Sequence, residues 1–265
     1  MDEIKNINIA LSSWSGSGAT ALSLILANLL KRKYIYIGNV FRYLGLKLGF
    51  SNEGVDRPEF DNYIENIIGT TIDNYVDYKL LNDKNLIVDA DISAFRLGRH
   101  PKMFSIFLKA DLDNRIKRNL IENREDAIVT LEKRDKVLRE KYIELWDIDF
   151  FDEELITKKY NLLFDNSNMS LQNEVQQVVA AFEKYLQFKN TPHEYWDDVR
   201  KNIIEYSDLY ADKGKKYMIE LLEKDGLISD AVDIITEITK LFPEDVNNFP
   251  DNIKNLFFSI DPKNE

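Results

Sequence analysis

Residues 7–20 read INIALSSWSGSGAT, and this stretch decides the fold class. Residues 7–11 form a short, largely apolar run that predicts a buried strand. Seven small or aromatic residues follow at 12–18, and residues 19–30 then form a strongly apolar run with helical character. A strand, a loop of small residues and a helix in this order are typical of the start of an α/β fold.

The same alternation continues along the chain. We predict further strands over residues 34–37, 85–88, 103–108 and 161–164, separated by helices over 40–48, 56–79 and 112–145 and closed by a helix over 171–186. Five strands alternating with helices predict a five-stranded, parallel, doubly wound sheet. In such sheets ligands bind beyond the carboxyl ends of the strands, which places a site near residues 12–18, 38–42, 89–91 and after 109.

The last quarter of the chain has a different character. Residues 190–192 (Asn-Thr-Pro) suggest a boundary, and apolar residues with helical spacing follow as far as residue 260. We therefore predict a first domain over 1–189 and an all-helical extension over 190–265. The extension has three or four helices, packed either as a small bundle or onto the first domain.

Charge is unevenly distributed between these parts. The chain of 265 residues has a formal net charge of −11, of which −8 lies in residues 190–265 and −3 in residues 1–189. This acidity argues against binding to duplex nucleic acid, because such binding needs Lys and Arg to replace counterions. The acidic extension leaves open a protein partner or self-association through 190–265.

Composition excludes several classes of protein. The absence of cysteine excludes disulfide scaffolds, thiol catalysis, thiolate metal sites and iron–sulfur clusters, and two histidines make a His-rich metal centre an unattractive hypothesis. No apolar run is long enough to span a bilayer, which needs about 20 residues. We expect a cytoplasmic protein with no membrane segment.

The loop after the first strand has the chemistry of a phosphate cradle. Such a cradle needs inward-pointing backbone amides, small residues and a helix amino end, and these are supplied by Ser15, Gly16, Ser17, Gly18, Ala19 and Thr20. Against the P-loop pattern G-x-x-x-x-G-K-[ST], Gly18 and Thr20 match, whereas Ala19 stands at the lysine and Ser13 at the first glycine. One interpretation is a lysine-free P-loop with the Thr20 hydroxyl as a magnesium ligand; the other is a turn that merely joins a strand to a helix.

Four stretches, in order and spacing, resemble the cytidylate kinase family of P-loop nucleoside monophosphate kinases, especially its short archaeal-type members. They are the loop at 13–20, the segment IGNVFR at 37–42, the segment LIVDADIS at 86–93, and residues 115–149, which end in YIELWDID. The family has A-G-x-x-F-R at the second, V-L-E-G-R-L-S at the third, and R-Y-x-x-x-Y-x-I-D at the end of its lid. The resemblance covers about two-thirds of the chain.

This resemblance implies a P-loop kinase fold, ATP and Mg²⁺ as cofactors, and roles for particular residues. The loop residues 15–20 would hold ATP and Thr20 the metal ion. The region 38–80 would bind the acceptor, a nucleoside monophosphate, through Gly38, Arg42, Asp56 and, from the lid, Arg115. The lid at 115–149 would supply the groups that act on the migrating phosphoryl, namely Arg134, Arg118 and Lys141.

The departures from the family pattern keep two functions open. Ala19 replaces the loop lysine, Asp91 stands at a family arginine, and Leu138 and Asn119 replace an acidic residue and an arginine of the lid. The first hypothesis is an enzyme that transfers a phosphoryl group from ATP to CMP or dCMP, with UMP second. The alternative is a catalytically impaired kinase fold that acts as a binding or regulatory module through its acidic extension.

Overall fold

The computed structural model of the chain describes residues 2–50, 56–121, 127–186 and 193–260. Its strands are β1 (Asn8–Ser13), β2 (Lys33–Tyr36), β3 (Leu86–Asp89), β4 (Met103–Lys109), β5 (Leu162–Asp165) and β6 (Ile228–Ser229). Its helices are α1 (Asp2–Lys5), α2 (Ala19–Leu30), α3 (Ile37–Lys47), α4 (Asp56–Asn82), α5 (Leu112–Ile121), α6 (Ala127–Trp146), α7 (Glu153–Lys159), α8 (Leu171–Leu186), α9 (His193–Lys224), α10 (Ala231–Leu241), α11 (Pro243–Asn247) and α12 (Asp251–Ser259).

The strands form one parallel sheet in the order β5-β4-β1-β3-β2-β6. The parallel, doubly wound architecture predicted from the sequence is confirmed, but the predicted count of five strands is wrong, because the described residues form a sheet of six. The sixth strand, β6, comes from the extension and pairs with β2 through Tyr34↔Ile228 and Ile35↔Ser229. The extension is therefore helical, as predicted, except for this strand.

Two apolar clusters cover the two faces of the sheet, and the extension contributes to both. On one face Trp196, Met218 and Leu222 pack with α2 and α8. On the other face Ile235 and Phe257 pack with α3 and α4. Burying a large apolar side chain contributes about 1.5–3 kcal/mol, so these contacts hold the extension firmly on the sheet. Of the two arrangements predicted, the described helices adopt the packed one; the predicted boundary at 190–192 lies outside the described residues.

Two local predictions differ from the structure. Ile37 begins α3 rather than ending β2, and its side chain is buried. The single helix predicted over 112–145 is two helices, α5 and α6, on either side of residues 122–126, which lie outside the described residues.

Helix α9 contains a sharp break. Gly214 has φ 75° and ψ −174°, a conformation that residues with a Cβ rarely adopt, so glycine is needed where the chain turns. The helical segment after Gly214 lies against α2, where the Asn28 side chain donates to the Met218 carbonyl at 3.1 Å. That segment then leads into β6.

Among the described helices, none has a stretch long and apolar enough to cross a bilayer.

Candidate functional site

The loop between β1 and α2 adopts the backbone that its glycines predict. Gly16 has φ +79° and Gly18 has φ +94°, both in the region that only glycine enters freely. A Cβ at Gly16 would also lie 2.5 Å from the Asn119 side-chain nitrogen and 3.3 Å from Arg115, so a larger residue here would have to displace α5 side chains as well. The hydroxyls of Ser15 and Ser17 are buried, and neither has a hydrogen-bond partner among the described residues. The loop thus offers donors and close backbone approach to an anion at the amino end of α2.

Helix α5 holds this loop from outside. The Arg115 guanidinium donates to the Ser15 carbonyl at 3.0 Å and is paired with Asp135 at 2.7 Å. One turn later, Arg118 donates to the Ser17 carbonyl at 3.0 Å. Both arginines, predicted to contact acceptor or migrating phosphoryl, are therefore bonded to loop carbonyls in this structure.

A buried polar network supports the loop from behind. The Asn166 amide donates to the Ser17 carbonyl at 2.8 Å and to the Glu174 carboxylate at 2.9 Å, and its own oxygen accepts from Arg118 at 2.9 Å. Glu174 is 3% exposed, and burial raises the pKa of its carboxyl from 4.5 to about 7, against the lowering effects of Asn166 and Arg118. Sequence reasoning missed this network, because a single Glu in an amphipathic helix carries no local sign that it faces inward.

The magnesium-binding prediction concerns Thr20 and its neighbours. The Thr20 hydroxyl donates to the Asp89 carboxylate at 3.2 Å, and the Tyr34 hydroxyl donates to the same oxygen at 3.1 Å. Burial raises the pKa of Asp89 to about 6, while the hydrogen bonds from Tyr34 and Thr20 lower it, so the group is mostly ionised at pH 7. A hydroxyl and a carboxylate are the hard oxygen donors that Mg²⁺ prefers, and this pair therefore fits the metal.

Beside the loop lies a small cleft of about 70 Å³, partly open to solvent, at the carboxyl ends of β2 and β3. Three residues predicted for the site line it: Gly38, Arg42 and Arg134. Its acidic lining comes from Asp73, Asp89 and Asp91.

Arg42 is held in the cleft by its own neighbours. Its guanidinium donates to the Tyr36 hydroxyl at 2.7 Å and to the Asn39 side chain at 3.3 Å, and it lies 4.9 Å from the centre of the Tyr36 ring. A Cβ at Gly38 would lie 2.5 Å from that ring, so Gly38 leaves the space that Tyr36 occupies. The position predicted to grip an acceptor phosphate is thus oriented by an aromatic residue at the end of β2.

Acidic residues lie beside the arginines of the cleft. Asp91 lies 3.7 Å from the Arg134 guanidinium, so the acid at the position where the resemblance implies an arginine is paired with an arginine of α6. Asp73 accepts from the Trp146 indole at 3.1 Å. Burial raises the pKa of Asp73 to about 7, although Arg96 and the Trp146 hydrogen bond lower it, so this side chain is near half-protonated at neutral pH.

Among the described side chains predicted to act on the migrating phosphoryl, Lys141 does not line the cleft. Lys141 is 5% exposed and lies beside Tyr142 in α6. Asp56 begins α4, but its side chain lies outside the described part of the chain. Among the described residues there is no group of three or more His, Cys, Asp or Glu side chains arranged to hold a metal ion by themselves.

Comparisons with known proteins test the resemblance that the motifs indicate. A cytidylate kinase of Saccharolobus islandicus is 28% identical over 179 residues, covering 65% of this chain and 88% of its own. A cytidylate kinase of Pyrobaculum islandicum is 27% identical over 174 residues, covering 63% of this chain and 88% of its own. No family model matches the chain.

A solved shikimate kinase from Acinetobacter baumannii, in complex with shikimate, aligns with a TM-score of 0.44 and 14% identity, covering 72% of this chain and 99% of that chain. The sequence relatives, rather than this distant structural likeness, carry the assignment. Both relatives match about two-thirds of this chain, the share over which the motifs resemble the family. The chain is thus cytidylate kinase-like in sequence, as its motifs predict.

Proposed function

We propose that the protein transfers the γ-phosphoryl group of ATP to a nucleoside monophosphate, with CMP or dCMP as the preferred acceptor. The observation that carries the proposal is the cleft that holds Arg42 and Arg134 next to a glycine loop with Thr20 and Asp89 at its helix end. A phosphate-binding loop beside a second, arginine-lined cavity suits a reaction between two phosphorylated molecules. The cytidylate kinase relatives supply the acceptor class.

The reaction needs positioning and charge neutralisation rather than a covalent intermediate. A phosphate oxygen of the acceptor attacks the γ-phosphorus, the bond from that phosphorus to the β–γ bridging oxygen breaks, and the electron pair stays on ADP. The products are ADP and a nucleoside diphosphate. An acceptor phosphate that is already a dianion needs no general base.

The residues of this chain divide the work. Residues 15–20 bind the phosphates of ATP through loop amides and the Ser15 and Ser17 hydroxyls. Thr20 and Asp89 would hold Mg²⁺, which when bound neutralises phosphate charge as a Lewis acid. Arg42 binds the acceptor phosphate as a planar, always charged fork, and Arg134 faces the migrating group from the lid. Arg115 and Arg118 keep the loop in shape.

The test is a coupled phosphotransfer assay with ATP–Mg²⁺ against CMP, dCMP, UMP, AMP and GMP. We expect turnover on a pyrimidine monophosphate, and we expect Arg42→Ala to raise the KM for that acceptor at least tenfold, since a charged hydrogen bond contributes about 1.5–3 kcal/mol. Arg200→Ala is the matched control, because Arg200 is a surface residue of α9 paired with Glu183 and Asp197. No turnover on any of the five acceptors by folded protein would refute the proposal.

One observation favours the alternative of a nucleotide-binding module without turnover. The Asp91 carboxylate engages Arg134, and the cleft carries more acidic than basic residues. Under this alternative Ala19→Lys combined with Asp91→Arg would create activity that the parent protein lacks. Brisk turnover by the parent protein would eliminate it.

A further inference from the structure

The loop of this protein lacks a cation of its own. In a P-loop the lysine reaches the β- and γ-phosphates, but here Ala19 occupies that position and packs into the apolar core, 8% exposed. Arg115 and Arg118 donate to loop carbonyls, and Arg134 is paired with Asp91. A phosphate-transfer site without a further cation would leave much of the charge of ATP unneutralised.

A cation from the extension lies near the carboxyl end of β2. Lys215 directly follows the break at Gly214, and its half-buried side chain places the ammonium 4.7 Å from the centre of the Tyr36 ring. Tyr36 is the last residue of β2 and lines the cleft, and Arg42 lies against the same ring at 4.9 Å. Two cations thus meet one aromatic ring beside the loop.

The electrostatics of the neighbouring groups agree with this placement. Burial alone would raise the pKa of Tyr36, but the positive charges of Arg42 and Lys215 hold it below its usual value. Both charges therefore act on the side chain at the end of β2.

The backbone explains why Lys215 and not a neighbour reaches the site. The break at Gly214 starts a new helical segment, which is tied to α2 at Asn28 and leads into β6 beside β2. Lys216 is 91% exposed at its side chain and lies 4.0 Å from Glu220, and Lys213 is 55% exposed and paired with Asp212. The three lysines around the break thus differ in where they point.

We propose that Lys215, supplied by the carboxy-terminal extension, binds the ATP phosphates in place of the lysine that the loop lacks at Ala19. This inference rests on the proposed function. It also assigns the extension a role: the glycine break and β6 deliver a positive charge to the nucleotide site from a segment that is acidic as a whole. The extension then completes the phosphate site as well as covering the sheet.

The test uses the full-length protein and two readouts, the affinity for ATP–Mg²⁺ by titration calorimetry and the rate of phosphotransfer to CMP. We expect Lys215→Ala to weaken ATP–Mg²⁺ binding about ten- to a hundredfold, as the loss of a charged contact predicts. We expect Lys216→Ala, the matched control next in the chain, to leave both readouts unchanged. Lys215→Arg should retain most of the affinity.

The decisive variant places a lysine in the loop in a protein that lacks Lys215. Adding Ala19→Lys to Lys215→Ala should recover at least tenfold of the lost affinity, because either lysine then serves the same phosphates. Equal affinity for Lys215→Ala and Lys216→Ala would overturn the inference, and so would a double variant as weak as Lys215→Ala alone. Lys215→Gln, with the stem kept, replaces Lys215→Ala if thermal unfolding shows that the alanine variant is not folded.

The two proposals fail in different ways. Parent protein that binds ATP–Mg²⁺ but phosphorylates no acceptor refutes the proposed function, while the calorimetric comparison still decides the role of Lys215. Parent protein that turns over normally, with Lys215→Ala unchanged in both readouts, refutes the Lys215 inference alone. Parent protein that does not bind ATP–Mg²⁺ refutes both.

Discussion

Replacing Glu174 by Gln should make the stability of the protein less dependent on pH. Glu174 is 3% exposed behind the glycine loop, and burial raises the pKa of its carboxyl from 4.5 to about 7. Because the folded-state pKa lies above the ordinary value, the folded state holds the proton more tightly than the unfolded chain does. The unfavourable contribution of Glu174 is therefore small below about pH 4.5 and grows until the pH has passed about 7.

The magnitude follows from the two pKa values. With 4.5 and about 7, ionising the buried carboxyl disfavours the folded state by about 1 kcal/mol at pH 5 and by about 3 kcal/mol at pH 8.5. Glutamine keeps the shape and accepts from Asn166, but its amide nitrogen has to fill the place of an oxygen without a partner among the described residues. That mismatch costs about 1–3 kcal/mol at every pH. The diagnostic quantity is the change in this free energy between the two pH values, about 2–3 kcal/mol.

The assay is urea unfolding of wild type and Glu174→Gln at pH 5 and pH 8.5, followed by circular dichroism. We expect the variant to gain about 2–3 kcal/mol of unfolding free energy relative to wild type between pH 5 and pH 8.5. Glu154→Gln is the control, because Glu154 lies on the surface with its side chain 80% exposed. A difference between Glu174→Gln and wild type that is the same at both pH values would refute a raised pKa and hence the reasoning from burial.

Three further predictions test the site and its support. Thr20→Val should weaken ATP–Mg²⁺ binding more than it weakens ATP binding without metal, since it removes the hydroxyl beside Asp89; equal losses in a calorimetric titration would argue against a metal role. Gly38→Ala should raise the acceptor KM severalfold with little change in the KM for ATP, because the new Cβ displaces the Tyr36 ring, and an unchanged acceptor KM would contradict the packing. Tyr75→Phe should destabilise the protein by about 1.5 kcal/mol in urea unfolding, because its hydroxyl donates to Glu237 at 2.7 Å; no loss would mean that this bond does not help to dock α10 on α4.

The features of this structure that could be predicted are those that depend on short sequence patterns. Gly16 and Gly18 predict a backbone conformation that only glycine adopts freely, and the apolar run of α2 predicts a helix after them. Alternation of strands and helices then places the loop and Arg42 at the same edge of the sheet. Those inferences need no knowledge of the packing of distant residues.

The sixth strand could not be found in this way. It has two residues, Ile228 and Ser229, too few for any alternation of apolar and polar positions. It is a strand because β2 offers unpaired backbone groups beside it. The residues between Gly226 and Asp230 contain no local pattern that would indicate pairing with β2.

The directions of charged side chains were equally out of reach. Helical spacing puts Arg115 and Arg118 on α5, but only the packing of α5 against the loop turns both guanidiniums onto the Ser15 and Ser17 carbonyls. The same holds for Lys215, which differs from Lys216 by one position in sequence and by its orientation in space. The sequence shows which residues are charged, whereas tertiary packing determines where their side chains point.

The position of β6 has a consequence for how the chain is made. Because β6 closes the β2 edge with residues of the last quarter of the chain, a ribosome finishes the outer strand long after the five others have been synthesised. Until then the nascent sheet presents the β2 edge, and parts of both faces lack their cover from α9 to α12. An uncovered strand edge with apolar faces is a template for aggregation. The interval between the synthesis of β5 and that of β6 is therefore the period in which the growing chain exposes the most surface prone to aggregation.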